Sequence, residues 1–122
     1  MTEQNSKGYR RLVVWQKAHA LALHMYAVTR EFPKDEMFGL TSQMRRSAVS
    51  VPANVVEGYA RASSKEKNQF LHIARGSLAE LEYYLDLTLD LGYISHKQHN
   101  ELINLRNDTG RVLHGFIRSI KL

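Results

Sequence analysis

The 122-residue chain has no cysteine, two prolines and one tryptophan. Without cysteine it can form no disulfide framework, no thiolate metal site and no cysteine nucleophile. It holds no apolar run near the roughly 18 residues that suggest a membrane span. Its polar start, MTEQNSKGYR, lacks the apolar stretch of a signal peptide. These absences predict a cytoplasmic protein that does not engage a membrane. Residues for metal or phosphate chemistry are scarce too. The chain has none of the Glu-x-x-His motifs that di-iron bundles use. It has no Walker-type glycine-rich loop and no serine set with His and Asp in a nucleophile motif. His96 and His99 are three apart at a helix start, which is weak metal spacing, and His19, His24, His72 and His114 are scattered. No metal or cofactor is expected, and an enzyme is the disfavoured class.

What is present is an ordinary globular composition, 43% apolar and 24% charged, enough for one domain with one core. Residues 1–9 read as a flexible leader and 10–122 as the folded domain. Apolar residues then recur at helical spacing. Trp15, Ala18, Leu21, Met25 and Val28 mark a first helix from about Arg11 to Glu31, which Phe32-Pro33-Lys34-Asp35 stops. A second runs from near Gly39 to Arg61. Ser63-Ser64-Lys65-Glu66 is a capping box that opens a third helix, with Phe70, Ala74, Leu78, Leu81, Leu85 and Leu89 on one stripe. Gly92 ends it. Ser95-His96-Lys97-Gln98 is a second box that opens a fourth helix carrying Leu102, Leu105, Thr109, Leu113, Phe116 and Ile120. Short connections between long helices favour antiparallel neighbours, so the expected fold is an all-α, up-down-up-down antiparallel four-helix bundle.

The second helix holds the least expected residues. Leu40, Met44, Ala48, Val51, Val55 and Tyr59 form one apolar stripe, which keeps its phase across Pro52. That continuity predicts one kinked helix rather than two, although an interior proline typically costs ~3 kcal/mol. Val49, Ala53, Val56 and Ala60 form a second, narrower stripe, and a surface helix needs only one. Arg46, Ser50, Asn54, Glu57 and Arg61 form a polar strip. A second packing surface against another subunit would use the extra stripe. The competing reading is a strained surface helix with a solvated strip. Antiparallel pairing of the second and third helices is expected to bring Arg45 and Arg46 to Glu80 and Glu82, making a structural network with Ser50, Asn54 and Glu57. Gly76, beside Ala74 and Ser77, suggests close approach of another backbone.

Charge is unevenly placed. The net charge of +5 permits nucleic-acid binding without demanding it. In a bundle, one end would collect Lys7, Arg10, Arg11, Lys17, Arg61, Lys65, Lys67, Arg75, Arg111, Arg118 and Lys121 against only Glu3, Glu57 and Glu66. The other end would be mildly acidic. The candidate nucleic-acid contacts are Arg10, Arg11, Arg61, Lys65, Lys67, Arg75, Arg118 and Lys121. A merely solvated basic end is the alternative.

Val14-Trp15-Gln16-Lys17-Ala18, Phe32-Pro33, Glu36 and Phe38-Gly39-Leu40 form an ordered series with Gln43, Arg45 and Arg46. The series continues through Ser50-Val51-Pro52-Ala53-Asn54, Val55-Val56-Glu57-Gly58, Ala74-Arg75-Gly76-Ser77 and Glu80-Leu81-Glu82. Over about residues 9–120 the chain resembles a bacterial family of four-helix bundles. Its members were first noted as reading frames within intervening sequences of large-subunit ribosomal RNA genes, and they are sometimes labelled ribosomal proteins. The resemblance implies assembly into a ring, a pentamer. It also brings in a relative of the same fold, the accessory protein of diversity-generating retroelements, which binds its reverse transcriptase and nucleic acid through a basic surface. For most of the family no biochemical activity is established.

Two functional classes follow. The first is a non-enzymatic oligomer whose basic ends face RNA or DNA. The second is a protein-interaction scaffold that binds no nucleic acid. Clustering of the cations on one exposed surface favours the first, and a leftover apolar patch favours the second.

Overall fold

The structure, a computed structural model, describes residues 8–121. It has four helices: α1 (Val13–Thr29), α2 (Leu40–Ala60), α3 (Ser64–Asp90) and α4 (His96–Ser119). Short 3-10 turns stand at Gly8–Arg11 and Lys34–Glu36, and there is no strand among the described residues. None of these helices is long and apolar enough to cross a membrane. Most of the expected leader, residues 1–7, lies outside the described residues. Its last two residues, Gly8 and Tyr9, belong to the first turn, where the Tyr9 ring meets Trp15 edge-on at 5.1 Å.

Local chemistry sets the helix ends. The Ser63 hydroxyl accepts from the Glu66 amide at 3.1 Å, opening α3. The return half of that box is absent, because the Glu66 carboxylate accepts from the Ser63 hydroxyl instead. At Ser95 the box is complete: its hydroxyl accepts from the Gln98 amide, and its own amide donates to the Gln98 side chain at 2.9 Å. Gly92 follows the end of α3 with φ +79°, a conformation glycine adopts without steric cost. The helix α1 is shorter than expected at both ends. Leu12 is extended, and Glu31 and Phe32 close the far end by 3-10 bonds to Val28 and Thr29.

Each helix packs on two others: α1 and α3 both lie against α2 and α4. Arg11 meets Tyr59 while Arg45 meets Thr29, fixing α1 against α2. Gly58 meets Lys67 while Ser50 meets Ser77, fixing α2 against α3. Arg106 meets Leu78 while His99 meets Asp86, fixing α3 against α4. The core between them is built from the anticipated stripes, including Leu21, Met25, Met44, Val51, Val55, Leu78, Leu81, Leu85 and Leu113, all essentially without exposure.

The helix α2 runs unbroken through Pro52, which is itself buried. Met44, Ala48, Val51 and Val55 are fully buried on the same helix. Each large apolar side chain removed from water contributes roughly 1.5–3 kcal/mol. The stripe therefore outweighs the ~3 kcal/mol that an interior proline typically costs. The close backbone approach expected at Gly76 occurs elsewhere. A Cβ at Gly76 would meet nothing within 4 Å, whereas one at Gly58 would stand 3.2 Å from the Lys67 carbonyl and 3.4 Å from Phe70 Cβ. Glycine is needed where α2 and α3 converge at their turn, and residue 76 lies well beyond that point.

Candidate nucleic-acid interface and the polar seam

The polar strip of α2 becomes a seam with α3. Asn54 Nδ2 donates to the Ser50 carbonyl at 2.8 Å and to Ser50 Oγ at 3.0 Å. Ser77 Oγ, from α3, donates to Ser50 Oγ at 2.8 Å. Ser50 and Asn54 thus carry the network, and Ser77 completes it across the helix pair. Its place could have been approximated from the sequence: Ser77 lies within about half a helical turn of the position opposite Ser50 across the 61–64 turn.

The charged members expected there go elsewhere. Glu57 pairs with Arg61 one helical turn away, Oε2 to Nη2 at 2.9 Å, on an exposed face. Arg45 turns toward α1, its Nε donating to Thr29 Oγ1 at 2.9 Å and its guanidinium lying 4.7 Å from the Tyr26 ring. Glu80 and Glu82 are exposed. The nearest guanidinium to Glu82 is that of Arg106 on α4, at 3.9 Å. The expected pairs of Arg45 and Arg46 with Glu80 and Glu82 are therefore not formed. Right direction and right register along two helices do not suffice, because each residue of rotation moves a side chain about 100° around its axis.

The sequence-selected cations gather in part around Tyr59. Arg11 Nη2 reaches the Tyr59 hydroxyl at 3.5 Å, and Arg10 lies 5.6 Å from the rings of both Tyr9 and Trp15. Arg61 stands over Phe70 at 4.8 Å. Lys67 is committed to the fold: its Nζ donates to the Tyr59 carbonyl at 2.9 Å and closes the C-terminus of α2, where a cation is favoured by the helix dipole. Lys65, Arg118 and Lys121 are exposed. Arg75 sits apart, in a groove between α3 and α4 that it lines with Arg106, Arg111 and His114.

Residues 10–115 match the family model described as 23S rRNA-intervening sequence protein. The chain belongs to that family. It is also similar to a crystal structure of a protein of unknown function from the S23 ribosomal protein family of Bacteroides thetaiotaomicron VPI-5482. The identity is 25%, the match covers 88% of this chain and 96% of that one, and the TM-score is 0.81. No curated protein matches the chain.

As a member of the 23S rRNA-intervening sequence protein family, the chain presents one further surface that its sequence only hinted at. Phe38 is 98% exposed, and Met37, Val49 and Tyr26 are exposed beside it. They border a shallow hollow of about 640 Å³ along α2, whose wall also includes Arg46, Ala53 and the seam residues Ser50 and Asn54. The second apolar stripe of α2 opens onto this hollow through Val49 and Ala53. The sequence could not single out Phe38, since nothing in local periodicity separates an exposed phenylalanine from a core one. Glu36 was placed only within the family series. Its Oε2 accepts from the Tyr93 hydroxyl at 2.8 Å, which ties the α1–α2 turn to the α3–α4 turn.

Proposed function

We propose that this 23S rRNA-intervening sequence protein is a non-enzymatic, cytoplasmic homo-oligomer. In this reading the helices form an up-down-up-down bundle, subunits associate in a ring of five, and the basic ends contact RNA or DNA. The observation that carries the reading is the separation of its surfaces. Exposed apolar residues gather around Phe38 at the start of α2, whereas toward its other end Arg11 and Lys67 meet Tyr59, Arg61 lies over Phe70, and Arg10 lies on Tyr9 and Trp15. A contact made through Phe38 would leave the cations uncovered. Large apolar patches on a soluble domain mark interaction sites, and an excess of clustered cations attracts phosphates regardless of sequence.

Two measurements test this reading. Sedimentation velocity should give a mass several times that of the chain. Fluorescence anisotropy with structured RNA and duplex DNA should show binding that weakens steeply with salt, each neutralised phosphate adding about 0.9 to the duplex slope. A monomer that ignores both nucleic acids at low salt would overturn it. The second reading, a scaffold that binds another protein, is favoured by the same Phe38 face, and it predicts an oligomer without salt-dependent nucleic-acid binding.

A further inference from the structure

The groove between α3 and α4 is a second cationic surface, on the side of the molecule and not at the Tyr59 end. We propose that this groove is a phosphodiester track that grips successive phosphates of a nucleic-acid strand. The proposal rests on the nucleic-acid reading above and moves the contact to Arg75 and Arg118 of the sequence-selected cations, joined by Arg106, Arg111 and His114.

Arg75, Arg106, Arg111 and His114 line one groove of about 760 Å³. Arg118 continues the line, one turn beyond His114 on the same face of α4. Arg111, His114 and Arg118 follow one another at steps of three and four residues along α4, which place such groups about 5–6 Å apart, a spacing suited to a chain of phosphates. Arg106 is preset: its Nε donates to the Leu78 carbonyl at 2.9 Å and Nη1 to Asn107 at 3.0 Å, so the guanidinium is fixed in the groove wall. Glu82 lies 3.9 Å from Arg106 and Asp108 pairs with Arg111, so these two arginines carry carboxylate partners. The groove stays cationic because four arginines, Arg75 and Arg118 among them, face these two carboxylates.

The groove floor supplies an independent observation. Gly110 lies within α4, where glycine disfavours the helix. Packing does not require it, since a Cβ there would meet only Leu78 Cδ1, at 4.0 Å. What the glycine does provide is a groove lining free of a side chain at this position.

The test uses the full chain with labelled single-stranded and duplex oligonucleotides, titrated by anisotropy at several salt concentrations. The double variant Arg75→Ala/Arg111→Ala should weaken binding about tenfold at low salt and lower the salt slope by about 0.7–0.9 per lost phosphate contact. Both side chains are exposed, so the fold should persist. Gly110→Ala should raise the melting temperature while weakening binding, a combination that loss of folding cannot produce. If the groove variants bind as wild type while Arg10→Ala/Arg11→Ala lowers the slope, the track is overturned and the basic-end reading stands. If wild type binds neither oligonucleotide, both fall together. Equal competition by polyglutamate would also overturn the track, since the groove would then take any polyanion.

Discussion

Ser77 on α3 donates its hydroxyl proton to the Ser50 hydroxyl on α2 at 2.8 Å, and Asn54 holds the same oxygen from the other side. Three small polar side chains thus join two helices where apolar ones would have been easier to accommodate. Ser77 is nearly buried, so its partner matters. Removing one partner of a typical intramolecular hydrogen bond costs about 1 kcal/mol. Ser77→Ala should therefore lower the melting temperature by roughly 4 °C in a domain of this size, read by thermal denaturation. Asn54→Ala should lower it similarly. It should also loosen the oligomer, because Asn54 faces the hollow beside Phe38; an unchanged sedimentation mass would place the subunit contact elsewhere.

Arg45 binds α1 and not α3. Its bond to the buried Thr29 hydroxyl and its position over Tyr26 both depend on a planar guanidinium. Arg45→Ala should cost about 2 kcal/mol, combining a charged hydrogen bond with an exposed cation–π contact. Arg45→Lys should recover little of this. Glu80→Ala should stay within about 0.5 kcal/mol of wild type, as exposed substitutions usually do. Urea unfolding of the three variants separates this arrangement from an Arg45–Glu80 pair, which would make the two alanine variants alike.

Phe38 is almost fully exposed and packs on nothing that would hold the subunit together. Phe38→Asp should therefore leave far-ultraviolet circular dichroism unchanged and reduce the sedimenting mass to that of one chain. A variant that keeps the wild-type mass would move the assembly surface away from this patch.

Tyr93 should give the protein an alkaline stability limit. Its hydroxyl donates to the Glu36 carboxylate, and that bond, followed by desolvation and the charges of Glu36 and Asp35, pushes its pKa above the ordinary value of 10.0. The folded chain holds this proton more tightly than the unfolded one. The stabilisation is therefore complete below the unfolded pKa, near 10, and is lost as pH rises through the higher folded value. Tyr93→Phe should abolish that component. Melting curves from pH 8 upward should show wild type losing stability above about pH 10 and converging on the variant.

The sequence by itself determined the four helices, their caps and the stripe each one buries. These are local properties: spacing near 3.6 selects the helix, and Ser63, Ser95 and Gly92 mark its ends by bonds within a few residues. The role of Ser50 and Asn54 was legible for the same reason, since one lies a single turn from the other. Only the tertiary structure decided which charges meet. Arg45 turned to Thr29 and Glu82 to Arg106, because partner choice between helices depends on rotation about each helix axis, which periodicity does not define. Tertiary packing also decided that Gly58, and not Gly76, is where two backbones converge, and that Phe38 stays outside the core. An apolar residue reports its preference to be buried, whereas its neighbours in space decide whether burial happens within the subunit or against another.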